Sequence, residues 1–507
     1  PAAEARRLLP VGRHSIRVQG RIEQLIVRCV PELIYSTFPA GYSMKFLRKH
    51  ILPHCTTILG GTNDEAAMRE WRAEGGRWIT FGVAPSHLGS ATDDFITADD
   101  YYEKMLRHGG FIHPLNDGII LDQIGSPRIE QKIEIAKTVS KILANPDLAG
   151  RAYQPWYEGA VFGSEGDYAM MKLVLDAGWP FSFYGYLTEQ KSEEQTLEDI
   201  QTMIVQTIES GNNQIPGSMR RGVATMGFWS AVATGQIQDI DPSTNFKILM
   251  ELQFAALANE PALFGLYGAF WYYSPYVDEE ILRWAAKLHR HYGFEGRTDR
   301  ITDDPYRLDH IVNGDFEDDT TGWTISGPGE TAVKTLDGYG HLQGRYLSGI
   351  QGDTILVTKR SADGPNTFSQ QVNGLTPGRA YSFKMITADY TNLTTGKSAK
   401  LAEAVSVSID NADWLPDLKR ADIHSDQAPF EVFPKATPET FENHYGHNNE
   451  LFDAKNHAYL NSHWRVFRAK GKTATLTVSD WASADEPGGP IGQQIMYNYL
   501  VVEPYFE

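Results

Sequence analysis

Two carboxylate side chains follow consecutive short apolar runs in the first third of the chain. Asp122 directly follows the run Gly-Ile-Ile-Leu at 118–121, and Glu158 follows Tyr-Gln-Pro-Trp-Tyr at 153–157. Cleavage of a glycosidic bond needs two carboxyl groups that face it, one to attack carbon or activate water and one to protonate the leaving oxygen. If the two runs are neighbouring strands, Asp122 and Glu158 are a candidate pair for this chemistry.

The surroundings of the two residues suggest which role each takes. The proton donor belongs in the drier place, because burial favours the neutral acid. Glu158 follows an aromatic stretch and suits that role, whereas Asp122 stands beside Gln123 and suits the ionised role. Carboxyl groups about 5 Å apart predict retention of configuration, and a separation of roughly 6.5–9.5 Å predicts inversion. A lone Asp at a strand end also serves as a helix cap or as the partner of a buried Arg.

Glu165 and Glu189 are alternative proton donors. The glycine-containing loop at 159–166 would allow Glu165 to fold back over the site. The competing interpretation is that Glu165 begins the next helix, since acidic residues stabilise the first turn. Glu189 follows the sixth candidate strand.

Other polar and aromatic side chains stand at or near predicted strand ends and are candidate substrate contacts. Aromatic rings at such positions either stack on a ligand or pack under loops, and a lone His is more often structural. The candidates are Glu32, Tyr35, His87, Gln123, Trp156, Tyr184, Tyr186, Trp229 and Trp271.

Short apolar runs alternate with helical stretches over the first three hundred residues. This pattern predicts a (β/α)8 TIM barrel at 1–296, a fold in which active-site residues stand at the carboxyl ends of the strands. A doubly wound open sheet is the alternative, but no Gly-x-Gly-x-x-Gly follows the first run. The predicted strands are 25–30, 56–59, 78–83, 118–121, 151–156, 180–184, 222–228 and 263–270.

The pattern changes near Gly296. Charged and turn-forming residues at 297–309 predict a linker, and short strands punctuated by Gly, Asn, Asp and Pro then predict an antiparallel β-sandwich at 310–507. A long polar insertion is expected at about 410–460. The predicted strands of the sandwich are 331–335, 354–357, 367–372, 380–387, 404–409, 463–468, 473–478 and 494–502.

The C-terminal part resembles the carbohydrate-binding jelly rolls of the galactose-binding-like type. The resemblance rests on Asn-Gly-Asp-Phe-Glu at 313–317 with Gly-Trp at 322–323, and on Gln-x-Val, Leu-x-Pro-Gly and Tyr-x-Phe between 370 and 383. It implies either glycan binding or support of a neighbouring domain. Trp323 is expected in the core rather than on a sugar platform. An acidic residue near the start of the sandwich is a candidate ligand for structural calcium, with the ligand set unassigned.

The segment Gly-Ile-Ile-Leu-Asp-Gln at 118–123 resembles the nucleophile strand of the endo-α-1,4-polygalactosaminidase family and its relatives. The resemblance implies an α-linked substrate, retention of configuration, Asp122 as nucleophile and Glu158 as acid/base. Another large clan of barrel hydrolases carries Asn-Glu after strand four and Glu after strand seven. This chain has Asp-Gln at 122–123 and Phe-Trp-Ser at 228–230, so membership of that clan is not expected.

Charge and motifs exclude several other functions. The net charge of −18 argues against nucleic acid or an anionic membrane as the main partner. Gly-x-Ser-x-Gly, a Walker loop and His-Glu-x-x-His are all absent, and no apolar stretch approaches 18 residues. Cys29 and Cys55 are expected as buried free thiols rather than a bridge. No catalytic metal or other cofactor is expected.

The sequence therefore predicts a glycoside hydrolase with a carbohydrate substrate, preferably a retaining enzyme that acts on an α-linked glycan. An inverting glycosidase that uses the same carboxylates and a non-catalytic glycan-binding protein are the alternatives. A lyase is disfavoured because no Lys/Arg cluster is evident. Secretion or a periplasmic location is expected from the domain make-up, although no signal peptide is evident. The sugar, the linkage and the oligomeric state stay open.

Overall fold

The computed structural model describes most of both predicted domains. The residues that it describes are 4–9, 12–36, 43–61, 64–82, 95–121, 129–157, 163–187, 189–228, 241–273, 279–336, 352–395, 404–420 and 461–507.

Eight parallel strands close into a barrel in chain order, and β8 pairs with β1. The (β/α)8 prediction is therefore confirmed. The strands are β1 (Glu32–Ser36), β2 (Thr57–Leu59), β3 (Arg77–Gly82), β4 (Gly118–Leu121), β5 (Ala152–Tyr157), β6 (Phe181–Tyr184), β7 (Gly222–Phe228) and β8 (Gly268–Tyr273).

Helices cover the outside of the barrel. Two of them continue through π-helical turns, at Ile200–Val205 and at His289–Phe294. The helices of the described barrel residues are α1 (Met44–His50), α2 (Glu65–Ala73), α3 (Ala98–Met105), α4 (Gly109–Ile112), α5 (Ile129–Ala144), α6 (Glu165–Asp176), α7 (Glu193–Asp199), α8 (Gln206–Gln214), α9 (Phe246–Asn259) and α10 (Glu279–Leu288).

Alternation along the strands separates two cores. Ile34, Ile120 and Phe270 belong to the cluster inside the barrel. Their neighbours in sequence belong to the larger cluster between the strands and the helices, as Leu121 and Trp271 show. Most described residues on both faces of the strands are buried, which explains why strands of a parallel sheet have near-continuous apolar sequences.

The strand β4 agrees with its predicted bounds. It begins at Gly118, whose φ of 142° is a conformation that other residues rarely adopt. A β-carbon at this position would stand 2.2 Å from the carbonyl oxygen of Ala152 on β5. Glycine is therefore required for the close approach of these two strands.

The predicted position of the first strand was wrong, and the eighth strand begins five residues later than predicted. Residues 25–30 are not part of the barrel, and Leu25, Ile26 and Val27 are exposed. The strand that pairs is β1, at 32–36. Residues 261–263 form a 3₁₀ turn ahead of β8. Apolar character alone does not specify which run finds a partner strand.

The two cysteines are free. Cys55 is buried, as predicted, but Cys29 is exposed because the segment that contains it is not a barrel strand. Among the described residues, no helix is long and apolar enough to cross a membrane.

The C-terminal part is an antiparallel sandwich of two sheets, as predicted. A six-stranded sheet has the order β10-β11-β18-β13-β16-β15, and a four-stranded sheet has the order β14-β17-β12-β9. A short helix, α11 (Tyr390–Thr395), follows β13. The strands are β9 (Thr324–Ser326), β10 (Thr331–Thr335), β11 (Thr354–Lys359), β12 (Thr367–Val372), β13 (Ala380–Asp389), β14 (Ser406–Ile409), β15 (Ala412–Arg420), β16 (Asn461–Ala469), β17 (Ala474–Ser479) and β18 (Gln494–Pro504).

One strand of the sandwich falls within the predicted insertion. The strand β15 lies at the edge of its sheet, and its pairing with β16 shifts register between Trp414 and Lys419. Pro416 stands inside that shift. Proline is tolerated in edge strands and at bulges, where no ladder hydrogen bond is lost. The rest of the expected insertion, 421–460, lies outside the described residues.

The segment 312–323 closes one end of the sandwich. Asn313 has a φ of 53°, and its side-chain amide donates hydrogen bonds to three carbonyl oxygens between 318 and 321. Gln370 on β12 bonds both the amide and the carbonyl of Val312. Trp323 is 7% exposed and packs against Phe316 and Phe368. The prediction that Trp323 belongs to the core is confirmed.

Candidate active site

The carboxyl end of the barrel contains a cluster of aromatic rings. Trp156, on β5, is fully buried, and its ring centroid lies 5.1 Å from those of Tyr184 and Phe270. Phe81 stacks on Trp156 at 6.4 Å, and Tyr186 lies 6.5 Å away. We call these five residues the aromatic floor.

The aromatic floor is partly open. Phe81 and Tyr184 are half-buried, whereas the other three rings are buried. The rings of Tyr184 and Tyr186 are 4.7 Å apart. Three of the predicted substrate contacts, Trp156, Tyr184 and Tyr186, are therefore brought together. Phe81 and Phe270 are not among the predicted contacts, because an apolar strand sequence does not mark which of its residues face inward.

Polar side chains also face the interior of the barrel beside the aromatic floor, where Ser182 pairs with Trp156 and Thr225 pairs with Phe270. Gln154 donates a hydrogen bond of 2.8 Å to the hydroxyl of Ser182 on the neighbouring strand. The other amide atom of Gln154 and the hydroxyl of Thr225 are buried without a hydrogen-bond partner among the described residues. These groups are fixed by the strands and do not depend on loop conformation.

The two principal candidate carboxylates lie just beyond the described residues. Asp122 follows Leu121, the last residue of β4, and Glu158 follows Tyr157, the last residue of β5. The two strands pair in parallel, with Ile120 opposite Gln154. The expected adjacency of the two strands is therefore confirmed. Gln123, His87 and Trp229 also lie outside the described residues.

The structure places Glu32 at the opposite end of the barrel. It is the first residue of β1, and its carboxylate accepts hydrogen bonds from Arg77 at 2.5 Å and from Thr57 at 2.6 Å. The expectation that Glu32 follows the first strand and contacts substrate is wrong, because that strand begins at Glu32. Its carboxylate joins β1, β2 and β3 at their amino ends.

Tyr35 and Trp271 do not face the interior of the barrel. They are paired in register on β1 and β8, and both pack in the core between the strands and the helices. The ring of Trp271 lies 5.4 Å from that of Phe254 on α9. Their interior-facing neighbours are Ile34 and Phe270. The expectation that these two residues contact substrate is corrected by the alternation of side chains along a strand.

The two alternative acids have different surroundings. Glu165 is exposed in the first turn of α6, directly after the N-cap Ser164. The position agrees with the interpretation that Glu165 begins the helix after β5. Glu189 is half-buried and accepts a hydrogen bond of 2.8 Å from the backbone amide of Asp241.

Glu189 belongs to a hydrogen-bonded group that the sequence did not indicate. Asp241 accepts from Arg307 at 2.8 Å and from both the amide and the hydroxyl of Ser243. Burial raises the pKa of Asp241, but these hydrogen bonds outweigh it and lower the pKa overall. Arg307, which lies in the predicted linker, thus contacts the chain that follows β7.

No metal centre is evident in the described part of the chain, where no three His, Cys, Asp or Glu residues gather as ligands. Asp315, in the segment proposed to hold calcium, is half-buried. Burial, with Glu317 and Asp241 nearby, raises the pKa of its carboxyl group. Structural calcium in this segment stays a prediction.

No family model matches this chain, and no curated protein matches it in sequence. Among solved structures, the catalytic domain of a family GH18 chitinase from the fern Peteris ryukyuensis is 11% identical, with 51% of this chain and 97% of that chain covered and a TM-score of 0.35. A GH51 arabinofuranosidase from Xanthomonas axonopodis pv. citri is 10% identical, with 89% of this chain and 87% of that chain covered and a TM-score of 0.30.

The enzymatically active domain of tailspike protein 4 from Bacteriophage CBA120 also matches. It is 9% identical, with 38% of this chain covered and a TM-score of 0.21. The matched part spans 21% of that tailspike chain. The assignment of a barrel and a sandwich rests on the observed strand order.

Proposed function

We propose that the chain is a glycoside hydrolase that cleaves a glycan at the carboxyl end of its barrel. The observation that carries this proposal is the aromatic floor. Sugars present apolar C–H faces that pack on aromatic rings, and Phe81 and Tyr184 are accessible for such contacts. The carboxyl end of the strands is also where barrel enzymes have their active sites.

Strand alternation supports Asp122 and Glu158 as the carboxyl pair. Asp122 stands two positions after Ile120, and Glu158 stands two positions after Trp156. Ile120 and Trp156 both face the interior of the barrel. Because residues two apart on a strand share a face, continuation of both strands would direct the two carboxylates toward the axis of the barrel, above the aromatic floor.

In the proposed retaining mechanism, Asp122 attacks the anomeric carbon while Glu158 gives its proton to the leaving oxygen. Glu158 then takes a proton from water, and the water oxygen displaces Asp122 from the anomeric carbon. Two successive inversions retain the configuration, and one water molecule is consumed. This chemistry needs no cofactor. An α-linked substrate is proposed from the resemblance of the segment 118–123.

An inverting mechanism is the second proposal for the same site. Asp122 would then activate water, and Glu158 or Glu189 would protonate the leaving oxygen. The amide of Asp241 holds Glu189 in a defined position, whereas the exposed position of Glu165 at a helix start gives no support to that residue as the acid. Proton NMR of the first anomer released separates retention from inversion.

The test is hydrolysis of a panel of polysaccharides by Asp122→Asn and Glu158→Gln variants. We expect Glu158→Gln to lower kcat by about 10²–10⁴-fold, as loss of a general acid does, and Asp122→Asn to lower it at least as much. Glu165→Gln is the matched control and should retain full activity. Undiminished hydrolysis by both principal variants would overturn the assignment. Tight binding of a glycan without any turnover would instead identify a glycan-binding protein.

A further inference from the structure

The residues that precede the first barrel strand form a long segment without secondary structure. Residues 12–30 contain no helix or strand, and every residue from 12 to 29 is exposed. Loops of more than about 12–15 residues without secondary structure are uncommon in compact domains, and those that are ordered usually carry a function. Because this segment contains four arginines and one glutamate, we call residues 12–30 the basic loop.

Both ends of the basic loop are held at the amino end of the barrel. Before the loop, the guanidinium of Arg6 lies 4.6 Å from the ring of Trp71. The indole nitrogen of Trp71 in turn donates a hydrogen bond of 2.8 Å to the carbonyl oxygen of Arg77, at the start of β3. After the loop, the chain enters β1 at Glu32. The basic loop therefore belongs to the end of the barrel that is opposite to the aromatic floor.

Six large aliphatic side chains of the basic loop are exposed to solvent. Their exposed fractions lie between 44% and 65%, and they are Ile16, Val18, Ile22, Leu25, Ile26 and Val27. Single apolar residues on a surface are ordinary, but an exposed apolar stretch marks an interaction site. Most of the six are β-branched, as is typical of strands, yet no strand of the described residues pairs with the loop. The sequence that predicts a strand at 25–30 thus has no partner strand in the described part of one copy.

The basic loop also differs in charge from the rest of the chain. Its arginines, at positions 13, 17, 21 and 28, outnumber its one acidic residue, Glu23, whereas the whole chain has a net charge of −18. Cationic and aliphatic side chains follow each other closely, as in Ile16-Arg17-Val18. Complementary charges on two surfaces attract and orient them before they make contact. The partner that complements the loop is therefore acidic and offers apolar contacts.

Non-protein polyanions fit the basic loop less well than a protein does. Nucleic acid would pair with the arginines, but it would leave the aliphatic side chains without an apolar contact and would repel the acidic remainder of the chain. An anionic membrane would repel that remainder too, and a loop without regular structure would bury backbone amides that lack hydrogen-bond partners. Protein interfaces, in contrast, combine an apolar centre with arginine.

The amino end of the barrel presents carboxylates as well as the basic loop. Asp147 lies between α5 and β5, Asp176 is the last residue of α6 ahead of β6, and Glu209 is on α8 ahead of β7. All three residues are exposed. One end of the molecule therefore carries both members of a complementary pair of surfaces.

We propose that the basic loop is a self-association surface that packs on the acidic amino end of the barrel in a second copy of the chain. Reciprocal packing of the two loops gives a two-fold dimer, the commonest symmetry of homo-oligomers. Each copy contributes the loop and the surface that receives its partner's loop, which together reach the about 20–30 residues a side of a stable interface. The carboxyl end of each barrel stays open, so self-association is independent of the proposed hydrolase activity.

The experiment is sedimentation equilibrium of the full chain over about 1–100 μM, a range that detects dimers with micromolar Kd values. The test variant, called the loop variant, combines Ile22→Thr, Ile26→Thr and Val27→Thr. These substitutions keep the β-branched shape and remove apolar surface that is already exposed in one copy, so they leave the fold of the monomer intact. Circular dichroism confirms that the variant is folded.

The matched control combines Ile129→Thr, Val312→Thr and Ile491→Thr. These three side chains are 50–53% exposed and lie outside the basic loop, so the control makes the same chemical change elsewhere on the surface. A third variant combines Arg13→Gln, Arg17→Gln and Arg21→Gln, which removes charge and keeps the aliphatic side chains.

We expect the wild-type chain to sediment as a dimer, with twice the chain mass of 56.7 kDa. The Kd of the loop variant should be at least about 100-fold higher, because three apolar contacts are lost, and that of the control should be unchanged. The arginine variant should have a Kd at least about tenfold higher. A wild-type chain that stays monomeric, or equal Kd values for the wild type and the loop variant, would overturn the proposal. An unchanged Kd in the arginine variant would overturn the charge complementarity on which it stands.

Cys29 provides a second measurement of the same contact, because it is exposed in the basic loop whereas Cys55 is buried. Reaction of Cys29 with a maleimide should be at least about tenfold slower in the wild-type dimer than in the loop variant, because the partner covers the loop. Equal rates would show that the loop lies outside the interface and would overturn the proposal. Binding of a monomeric wild-type chain to phosphatidylserine vesicles or to duplex DNA, lost in the arginine variant, would overturn it in favour of those partners.

Discussion

The ammonium group of Lys247, in the barrel, lies 3.2 Å from the carboxylate of Glu503, in the sandwich. Both side chains are almost completely buried. Glu280 pairs with Lys247, and Lys384 pairs with Glu503 at 2.5 Å. Lys247 also donates a hydrogen bond to the carbonyl oxygen of Pro504. Two positive and two negative charges are thus buried together where the domains meet.

We expect Glu503→Gln to destabilise the protein strongly, because it leaves an excess positive charge in a buried site. Breaking a buried ion pair in this way costs about 3–5 kcal/mol. Chemical denaturation measures the loss. The control is Lys470→Met, which breaks the exposed pair with Asp413 and should cost about 1 kcal/mol or less. Equal losses of unfolding free energy in the two variants would show that the buried charges stabilise the protein no more than the exposed pair does.

The same group predicts a pH dependence of stability. Burial raises the pKa of Glu503, but the ammonium groups of Lys247 and Lys384 outweigh it and lower the pKa well below its usual value of 4.5. A depressed pKa in the folded state stabilises the protein above the pKa of the unfolded state. The stabilisation is therefore complete above about pH 4.5 and is lost as the pH falls toward 2.

Thermal unfolding between pH 7 and pH 3 tests whether this stabilisation is lost as the pH falls. The difference in melting temperature between wild type and Glu503→Gln should shrink as the pH falls, because acid neutralises the carboxylate that the variant lacks. A difference that is independent of pH would show that the loss in the variant arises from packing rather than from charge.

A barrel strand was predictable from sequence where it is apolar on both faces and begins at a residue, such as glycine, whose backbone conformation few other residues adopt. The bounds of β4 follow from Gly118 at its start and the aliphatic run after it. Residues 25–30 were equally apolar but do not pair, because pairing depends on the register of β8 against β1. That register is set by residues more than two hundred positions away, which local pattern does not contain.

The candidate site was only partly predictable for a related reason. Trp271 and Phe270 are adjacent in sequence, yet only Phe270 faces the interior of the barrel. In a strand that is buried on both sides, alternation between apolar and polar residues is absent, so the sequence does not mark the inward face. Trp156 and Tyr184 both occupy inward positions, and their contact with substrate stays a prediction.

A substitution of Glu32 tests whether the amino end of the barrel contributes to stability and not to substrate binding. Glu32→Gln removes the charge that faces Arg77, which is itself mostly buried. Because the remaining guanidinium is left without its buried partner, we expect a loss of about 3–5 kcal/mol in the free energy of unfolding. The KM for any hydrolysed glycan should be unchanged. A raised KM in a variant that is still folded would place Glu32 in contact with substrate and contradict the assignment.

Tyr184 and Trp271 provide the corresponding test at the carboxyl end. Tyr184 is half-buried on the aromatic floor, so Tyr184→Ala removes a ring available for stacking. An aromatic contact is worth about 0.5–1.5 kcal/mol, which predicts a KM about 2-fold to 13-fold higher.

Trp271→Phe should lower stability by about 1–3 kcal/mol through lost packing against Phe254, without a change in KM. Steady-state kinetics with denaturation of both variants measures the two effects, and the opposite pattern would mean that the inward and outward faces of these strands are misassigned.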